Sequence, residues 1–221
     1  MVERGKRIRF KFIKTGDLKY ISHLDLLRTM ERATRRSRLP IRYTEGFHPR
    51  AKIQFASALP VGIASLGELM DIELTEELLA GQAMQEMGGQ LPATLALKEA
   101  RVVPPGEGPP MSLVRGASYQ IRVEPQDDLA QKVDGWLAKE TIPWTRQQKN
   151  KVRHLDLRGA TSKLEVLGRE QLELLLFFSS EATNVRPQEI IASLKLVPLE
   201  IVRTAIWGQG VLMEPLEKGI E

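Results

Sequence analysis

Apolar and polar residues alternate near the start of the chain, which is the pattern of a β-strand with one buried face. Within residues 8–12 the apolar positions are Ile8, Phe10 and Phe12, and cations lie between and before them. Successive side chains of a strand point to opposite faces, so one face would be buried and the other basic. The pattern predicts a first strand whose basic face looks away from the core.

The next segment, SHLDLLRTMERATRRS, has the apolar spacing of an amphipathic helix. Ser22 and Asp25 form an S-x-x-D capping pair at its start. A short strand is predicted at PIRYTEG, then a turn at Gly46–Pro49 and a strand from about Lys52. Thr75 with Glu76 and Glu77 predicts the start of a second helix, and LALKEARVV predicts a closing strand.

The proline- and glycine-rich stretch 104–110 interrupts this pattern and predicts a linker between domains 1–103 and 111–221. In the second domain SYQIRVE, IPWTRQQ, KVRHLDLR, SKLEVLG, QLELLLFFS and EIVRTAIWG read as strands. DDLAQKVDGWLAKE and NVRPQEIIASL read as helices, and the polar tail from Gln209 to Glu221 is expected to fray or to pack loosely.

This order of elements predicts an α+β protein with antiparallel sheets. Each domain reads as β-α-β-β-α-β, the ferredoxin-like arrangement, in which helices cover one face of the sheet. We therefore expect two tandem ferredoxin-like modules, the second with an extra hairpin. In each module the other sheet face is expected to be open, or occupied by a ligand or another domain.

Charge is distributed unevenly along the chain, and this narrows the partners. Residues 1–52 contain 15 Lys and Arg against 5 Asp and Glu, whereas the rest of the chain is acidic. This asymmetry favours a polyanion such as RNA as the partner of the first module, although solvated surface charge gives the same pattern. Cysteine is absent, which excludes a disulfide, a thiolate metal site or a cysteine-held cluster on this chain. Without a signal-like or membrane-spanning apolar run, the expectation is a cytoplasmic protein that binds no membrane.

Several cations are candidates for nucleic-acid or anion contacts because they fall on the expected open faces, on one side of the first helix, or near the corner at Gly46–Pro49. Phe47 joins them because an aromatic ring there could stack on a base. The candidates are Arg7, Arg9, Lys11, Arg28, Arg32, Arg36, Arg42, Phe47, Arg50, Lys52, Lys151, Arg153, Arg158, Arg186 and Arg203.

Acid/base chemistry has weaker candidates. His23 and Asp25 lie at the start of the first helix, where capping is the more common explanation for such residues, and His48 lies in the turn. An Asp156–Arg158 pair could contact a polar substrate or be a plain salt bridge. The chain has three histidines and no HExxH or paired ligand spacing, so no metal site is predicted.

The segment KTGDLKYISHLDLLRTMERATRRSRLPIRYTEGFHPRAKIQFASALPVGIAS resembles the opening of the uncharacterised radical-SAM-linked protein family, also described as a domain of unknown function. Looser similarity continues through KVRHLDLRG and NVRPQEI. Members of that family occur beside, or fused C-terminally to, a radical S-adenosylmethionine (SAM) protein. The resemblance therefore implies that S-adenosylmethionine and an iron–sulfur cluster are held by a partner chain. The positions that match the family motif are His23, Asp25, Arg28, Arg36, Gly46, Phe47, Pro49, Arg50, Pro60 and Gly62, while the family usually shows Asn where this chain has His48.

Three functions remain open at this stage. The first is a non-catalytic module that presents RNA or another polyanion to a radical SAM partner, in RNA or ribosome-related modification. The second is a metal-independent endoribonuclease, because tandem ferredoxin-like modules with a histidine near the first helix resemble CRISPR repeat-processing enzymes. The third is a protein–protein adaptor without a role in RNA binding.

Overall fold

A computed structural model describes residues 4–148, 151–178 and 185–215 of the chain. It is a mixed α+β structure with mainly antiparallel strands and few, short helices, as the sequence predicts at the level of fold class. The chain divides into two compact units. Among the described residues, unit 1 comprises 4–114 with 208–215, and unit 2 comprises 115–148, 151–178 and 185–207.

This division differs from the predicted domain boundaries in two places. Segment 104–110 belongs to unit 1, because Glu107 within it forms an ion pair with Arg9 of the first strand. Gly208–Pro215 also returns to unit 1. Of the two expectations for the tail, fraying is wrong for residues 209–215, and residues 216–221 lie outside the described residues.

Unit 1 is built on four strands. Strand β1 lies between β4 and β3, β2 pairs with β3, and each of these three pairings is antiparallel. Short 3-10 helices occupy Gly16–Tyr20 and Ala93–Leu95. The strands and α-helices are β1 (Arg4–Lys14), α1 (His23–Arg36), β2 (Ile53–Phe55), β3 (Ala64–Leu79), α2 (Ala80–Gly88), β4 (Leu97–Val102) and α3 (Pro110–Leu113).

The core of unit 1 lies between this sheet and its helices. Ile8, Phe10 and Phe12 of β1 are fully buried there, against Met30 of α1 and Met87 of α2. Each such side chain contributes about 1.5–3 kcal/mol when it is removed from water. The predicted apolar face of β1 is therefore the face that meets the helices.

Two predicted elements of unit 1 differ from the structure. PIRYTEG forms only isolated bridges, Ile41 to Leu74 and Tyr43 to Ala51, instead of a strand. The predicted helix start at Thr75 lies within β3, and α2 begins at Ala80. Both faces of β3 are covered along most of its length, so its sequence lacks the alternation that marks a half-buried strand.

Unit 2 contains a four-stranded sheet with neighbours in the order β10-β5-β9-β8, and a separate two-stranded hairpin of β6 and β7. The β5–β9, β8–β9 and β6–β7 pairings are antiparallel. Its elements are β5 (Val114–Val123), α4 (Leu129–Leu137), β6 (Pro143–Gln148), β7 (Lys151–Asp156), β8 (Thr161–Val166), β9 (Gln171–Phe177), α5 (Pro187–Ser193) and β10 (Pro198–Gly208). All six strands and both longer helices occur where the sequence pattern predicts them.

Candidate functional site

Three cations of β1 were expected to form an open basic face, and the structure shows that expectation to be wrong. These sheet cations are Arg7, Arg9 and Lys11. Arg9 is fully buried and binds Asp71 of β3 in bidentate fashion, with Nε 2.6 Å from one carboxylate oxygen and Nη2 3.0 Å from the other. Arg7 and Lys11 are each about three-quarters buried. This face of β1 is therefore not an open surface for a ligand.

Two distant segments of unit 1 cover the sheet cations. Glu107 lies 2.8 Å from Nη1 of Arg9, and the carbonyl of Val211 accepts a hydrogen bond of 3.0 Å from the same nitrogen. Arg7 donates to the carbonyls of Glu107 and Gly108. Lys11 lies 3.4 Å from the carboxylate of Glu214. Each sheet cation is thus engaged by an acid or carbonyl of the same unit.

The Asp71 carboxyl is almost inaccessible, and burial raises its pKa above the ordinary value. The hydrogen bonds from Arg9 and the charges of Arg9 and Arg7 act in the opposite direction and offset burial only in part. A buried carboxylate is tolerated when an arginine satisfies both its oxygens, which is the arrangement here. The Arg9–Asp71 pair therefore stabilises the fold of unit 1.

Helix α1 presents a second set of cations, and these are exposed. Leu26, Met30 and Ala33 face the core, so the opposite side carries its arginines into solvent. Ser22 caps the helix by accepting a 3.2 Å hydrogen bond from the Asp25 backbone N–H. Arg28, Arg32 and Arg36 are all exposed, as expected from their spacing.

Five exposed arginines of unit 1 have no acidic partner within 4.0 Å among the described residues. Two of them make backbone contacts: Arg32 reaches the carbonyl of Arg28, and Arg36 donates to that of Gln90 at 2.9 Å. Arg28, by contrast, is paired with Asp25 at 3.3 Å. We call the five the arginine surface: Arg32, Arg35, Arg36, Arg38 and Arg50.

A short ribbon, residues 42–52, leaves the sheet edge beside β3, and we call it the arm. At its base the Arg42 N–H donates to the carbonyl of Glu73, and the Glu73 N–H donates to that of Lys52. Closer to the tip, Thr44 and Arg50 are joined by two hydrogen bonds. The Thr44 N–H donates to the Arg50 carbonyl at 2.9 Å, and the Arg50 N–H donates to the Thr44 hydroxyl at 3.0 Å. These contacts hold the two sides of the arm together up to its last turn.

The tip of the arm is fully exposed. Phe47 has a relative accessibility of 101%, and His48 and Arg50 beside it are also exposed. Gly46 has φ of +118°, which side chains rarely tolerate, so glycine is required for this turn. At the base, Arg42 and Lys52 share Glu73, at 4.0 and 3.3 Å. The predicted clustering of an aromatic, a histidine and an arginine at this corner is what the structure shows.

Of the three acid/base candidates, Asp25 and His23 are held by structural contacts. The Asp25 carboxylate accepts from the Ser22 hydroxyl at 2.7 Å, and this bond, with the help of Arg28, lowers its pKa despite slight desolvation. The His23 ring packs edge-on against Phe55, with centroids 5.1 Å apart. His48 is a solvated residue of the arm tip. Within the described ranges, no group of three or more His, Asp or Glu residues is placed to hold a metal ion.

In unit 2 the hairpin of β6 and β7 places two candidates in solvent, since Lys151 and Arg153 are both exposed. Arg146, directly opposite Arg153, is instead neutralised by Glu189, with Nε 2.6 Å from the carboxylate. Burial acts to raise the pKa of Glu189, but hydrogen bonds from Arg146 and the Arg186 N–H outweigh it, so the pKa lies below its ordinary value.

The remaining candidates of unit 2 are placed differently from the expectation. Arg158 donates to the carbonyls of Leu137 and Thr161, and Asp156 accepts from the N–H groups of Ile142 and Arg158. Their side chains therefore hold loops together instead of forming a substrate-facing pair.

Arg186 and Arg203 also differ from each other. Arg186 is exposed just before α5, where its backbone N–H donates to Glu189. Arg203 is 2% exposed and donates to the Tyr119 hydroxyl at 3.4 Å. The expectation that Arg203 meets an external anion is wrong, because its strand position faces the interior.

Three further exposed residues of unit 1 are not among the predicted contacts: Arg35, Arg38 and Tyr43. Arg35 lies on the same side of α1 as Arg28 and Arg32, so helical spacing does indicate that it is exposed. Arg38 and Tyr43 lie between regular elements, where no periodicity indicates which way a side chain points. Their exposure depends on how residues 37–43 connect α1 to the arm.

Fold and surface together define a two-unit α+β protein whose first unit carries five exposed arginines without an acidic partner among the described residues. The chain belongs to a family described as "Uncharacterized protein conserved in bacteria (DUF2344)", whose model matches residues 7–187. No curated protein matches it. A solved structure, "Crystal Structure of a Cbf5-Nop10-Gar1 Complex", is similar at 9% identity and a TM-score of 0.46, with 89% of this chain and 49% of that chain covered. The chain thus spans about half the length of that solved relative.

No helix in the described part of the chain combines the length and the apolar character that a membrane crossing demands.

Proposed function

We propose that this protein is a non-catalytic module that binds RNA or a similar polyanion through unit 1 and presents it to a catalytic partner. The observation that carries the proposal is the arginine surface, five exposed arginines without an acidic partner among the described residues. Residues 28–52, which contain all five, hold eight Lys and Arg against two Asp and Glu. Such a surface attracts phosphates and gains free energy when their counterions are released.

The α1 arginines and the arm are close enough to act together. Only residues 37–41 separate Arg36 from Arg42, and an extended chain of that length spans at most about 22 Å. Leu39 and Ile41 of this connection are packed in the core of unit 1, so the arm is anchored to the same body as α1. A strand of several nucleotides is long enough to contact both.

The proposal includes a ferredoxin-like arrangement for each unit. The strand orders support it: β4-β1-β3-β2 in unit 1 and β10-β5-β9-β8 in unit 2. In each sheet a helix follows the strands that come first and third in the sequence, as in a ferredoxin-like module. The arm is then an elaboration of the second strand of the first module.

The catalytic partner in this proposal is a radical SAM protein. The resemblance of residues 14–65 to radical-SAM-linked proteins motivates it, and this chain lacks the cysteines that would hold the cluster. S-adenosylmethionine and the iron–sulfur cluster would therefore be bound by the partner. Size-exclusion chromatography of the purified protein mixed with such an enzyme tests this half, and separate elution of the two would contradict it.

RNA binding is tested by fluorescence anisotropy with a labelled RNA hairpin that has a single-stranded tail, over a series of salt concentrations. The triple variant Arg32/Arg35/Arg50→Gln is compared with Lys6/Lys98/Lys139→Gln, which removes the same charge from exposed positions outside the arginine surface. We expect the first variant to lower the slope of log affinity against log salt by about 2, since each lost phosphate contact removes about 0.7.

The control variant should retain the wild-type slope. Equal loss in both variants would show that net charge alone causes the binding, and no binding at low salt would refute the proposal. An RNA cleavage activity lost on His23→Ala or His48→Ala would favour the endoribonuclease instead. A stable protein complex without any RNA binding would favour the adaptor.

A further inference from the structure

Phe47, at the tip of the arm, is the most exposed large apolar side chain of the described residues, with a relative accessibility of 101%. One exposed apolar residue is common on protein surfaces and by itself indicates no function. The surroundings of Phe47 are what make it informative.

The arm braces the backbone that carries this ring. Its two sides are joined by the Thr44–Arg50 and Arg42–Lys52 backbone hydrogen bonds and by the bridge from Tyr43 to Ala51. Pro49 restricts the backbone on one side of the tip, and Gly46 makes the turn on the other. Because the backbone of this turn is already braced, little backbone ordering is required when the ring binds a ligand.

The residues next to Phe47 in the chain carry hydrogen-bond donors. The backbone N–H groups of residues 45–48 donate to no described residue, and His48 and Arg50 add donors from side chains. Arg50 belongs to the arginine surface, and the only acid of the tip is Glu45. An aromatic face next to free amides and an arginine suits a nucleotide, because the ring stacks on the base while the donors bind its phosphate.

We infer that Phe47 is a stacking platform for one unpaired base, so that the RNA bound by unit 1 is single-stranded at the arm. This inference rests on the proposed function and names its substrate class. Bases inside a duplex are already stacked on both faces, whereas an unpaired base has a face free for the ring. The arginine surface attracts either form of RNA, and Phe47 provides the selection between them.

The test compares a labelled 12-nucleotide RNA with the same strand annealed to its complement. We expect Phe47→Ala to weaken binding of the single strand by about 5- to 150-fold, the range measured for base–aromatic stacking. The salt slope should stay unchanged, because a neutral side chain releases no counterions. Duplex binding should not change. Val152→Ala, at a 58% exposed apolar position of unit 2, is the matched control and should have no effect.

A second variant gives a direct signal. In Phe47→Trp the new indole should be quenched by the single strand, and inorganic polyphosphate or an abasic oligonucleotide should leave its emission unchanged. If the wild type binds both RNAs and Phe47→Ala affects neither, the stacking inference fails and the RNA-binding proposal stands. If the wild type binds no RNA, the proposed function fails. If Phe47→Ala abolishes a complex with a protein partner and leaves RNA affinity intact, the ring docks protein and the inference is overturned.

Discussion

The sheet cations and the arginine surface lie on the same unit and carry the same charge, yet their environments are opposite. Arg9 is fully buried between Asp71, Glu107 and the Val211 carbonyl. Arg35 and Arg50 are exposed, and no described acid lies within reach of either. The first group stabilises the fold, and the second is available to a ligand.

The difference comes from where the neutralising acids lie in the sequence. Asp71, Glu107 and Glu214 are 62, 98 and 203 positions away from the cations they meet, and each reaches β1 only when the chain folds. An excess of local positive charge therefore does not identify a free surface. A cation is available only if no distant segment is brought over it.

The largest expected effect on this comparison is the loss of Arg9. Arg9→Ala leaves the Asp71 carboxylate buried without its bidentate partner, and breaking such a pair costs about 3–5 kcal/mol of unfolding free energy. Urea unfolding measures the change. Arg35→Ala is the matched control and should stay within about 0.5 kcal/mol of the wild type.

A different result would reverse the roles of the two groups. If Arg9→Ala retains full stability and loses RNA affinity, while Arg35→Ala loses neither, the sheet cations are the ligand site. The RNA measurement is made at a temperature where both variants remain folded by circular dichroism.

A pH-dependent effect is expected in unit 2, where Arg146 is neutralised by Glu189 and Arg153 opposite it is exposed. The pKa of Glu189 is below its ordinary value of 4.5 in the folded protein, so its contribution to stability is complete above pH 4.5. That contribution is lost as the pH falls through the folded-state pKa. The stability gap between wild type and Glu189→Gln should be about 1–3 kcal/mol at pH 7 and should shrink toward pH 3.

Urea unfolding at several pH values measures this gap. Arg153→Ala should leave stability nearly unchanged at every pH, since its side chain is exposed. A gap that stays constant from pH 7 to pH 3 would contradict the role assigned to the Glu189 carboxylate.

The smallest effect is expected at Lys11 and Glu214, whose side chains are 25% and 45% exposed. Glu214→Gln should lower stability by at most about 1 kcal/mol, and less in high salt, because water screens a partly exposed pair. Thermal melts at low and high salt measure it. RNA affinity should remain within twofold of the wild type, and a large gain would mean that Glu214 shields Lys11 from the ligand.

Much of the secondary structure was predictable, and the exceptions share a cause. Strand β9 alternates between buried and less buried positions, and α1 has a clear apolar stripe. Strand β3 was missed because both its faces are buried along most of its length, and its Asp71 is paired with Arg9 of β1. Local sequence patterning detects a strand with one solvent-exposed face. It fails for a strand whose polar residues form their hydrogen bonds and ion pairs in the protein interior.

The candidate site was predictable where it depends on short-range sequence. Gly46, Phe47, Pro49 and Arg50 are neighbours in the chain, and a turn displays its own residues. The burial of Arg9 depends on segments far away in the sequence, so alternation alone placed it on an open face that the fold covers. Arg203, expected to contact an anion from the last strand, is buried as well.

Gly208–Pro215 completes unit 1 although it is made after nearly all of unit 2. At ordinary translation rates, Arg115–Trp207 takes about 5–20 s to synthesise. During that interval the nascent first unit lacks the Val211 carbonyl on Arg9 and the Glu214 carboxylate on Lys11. Unit 1 therefore acquires these two contacts only after residues 115–207 have been synthesised, and a chain released by a nonsense mutation within β10 would contain a first unit that lacks both.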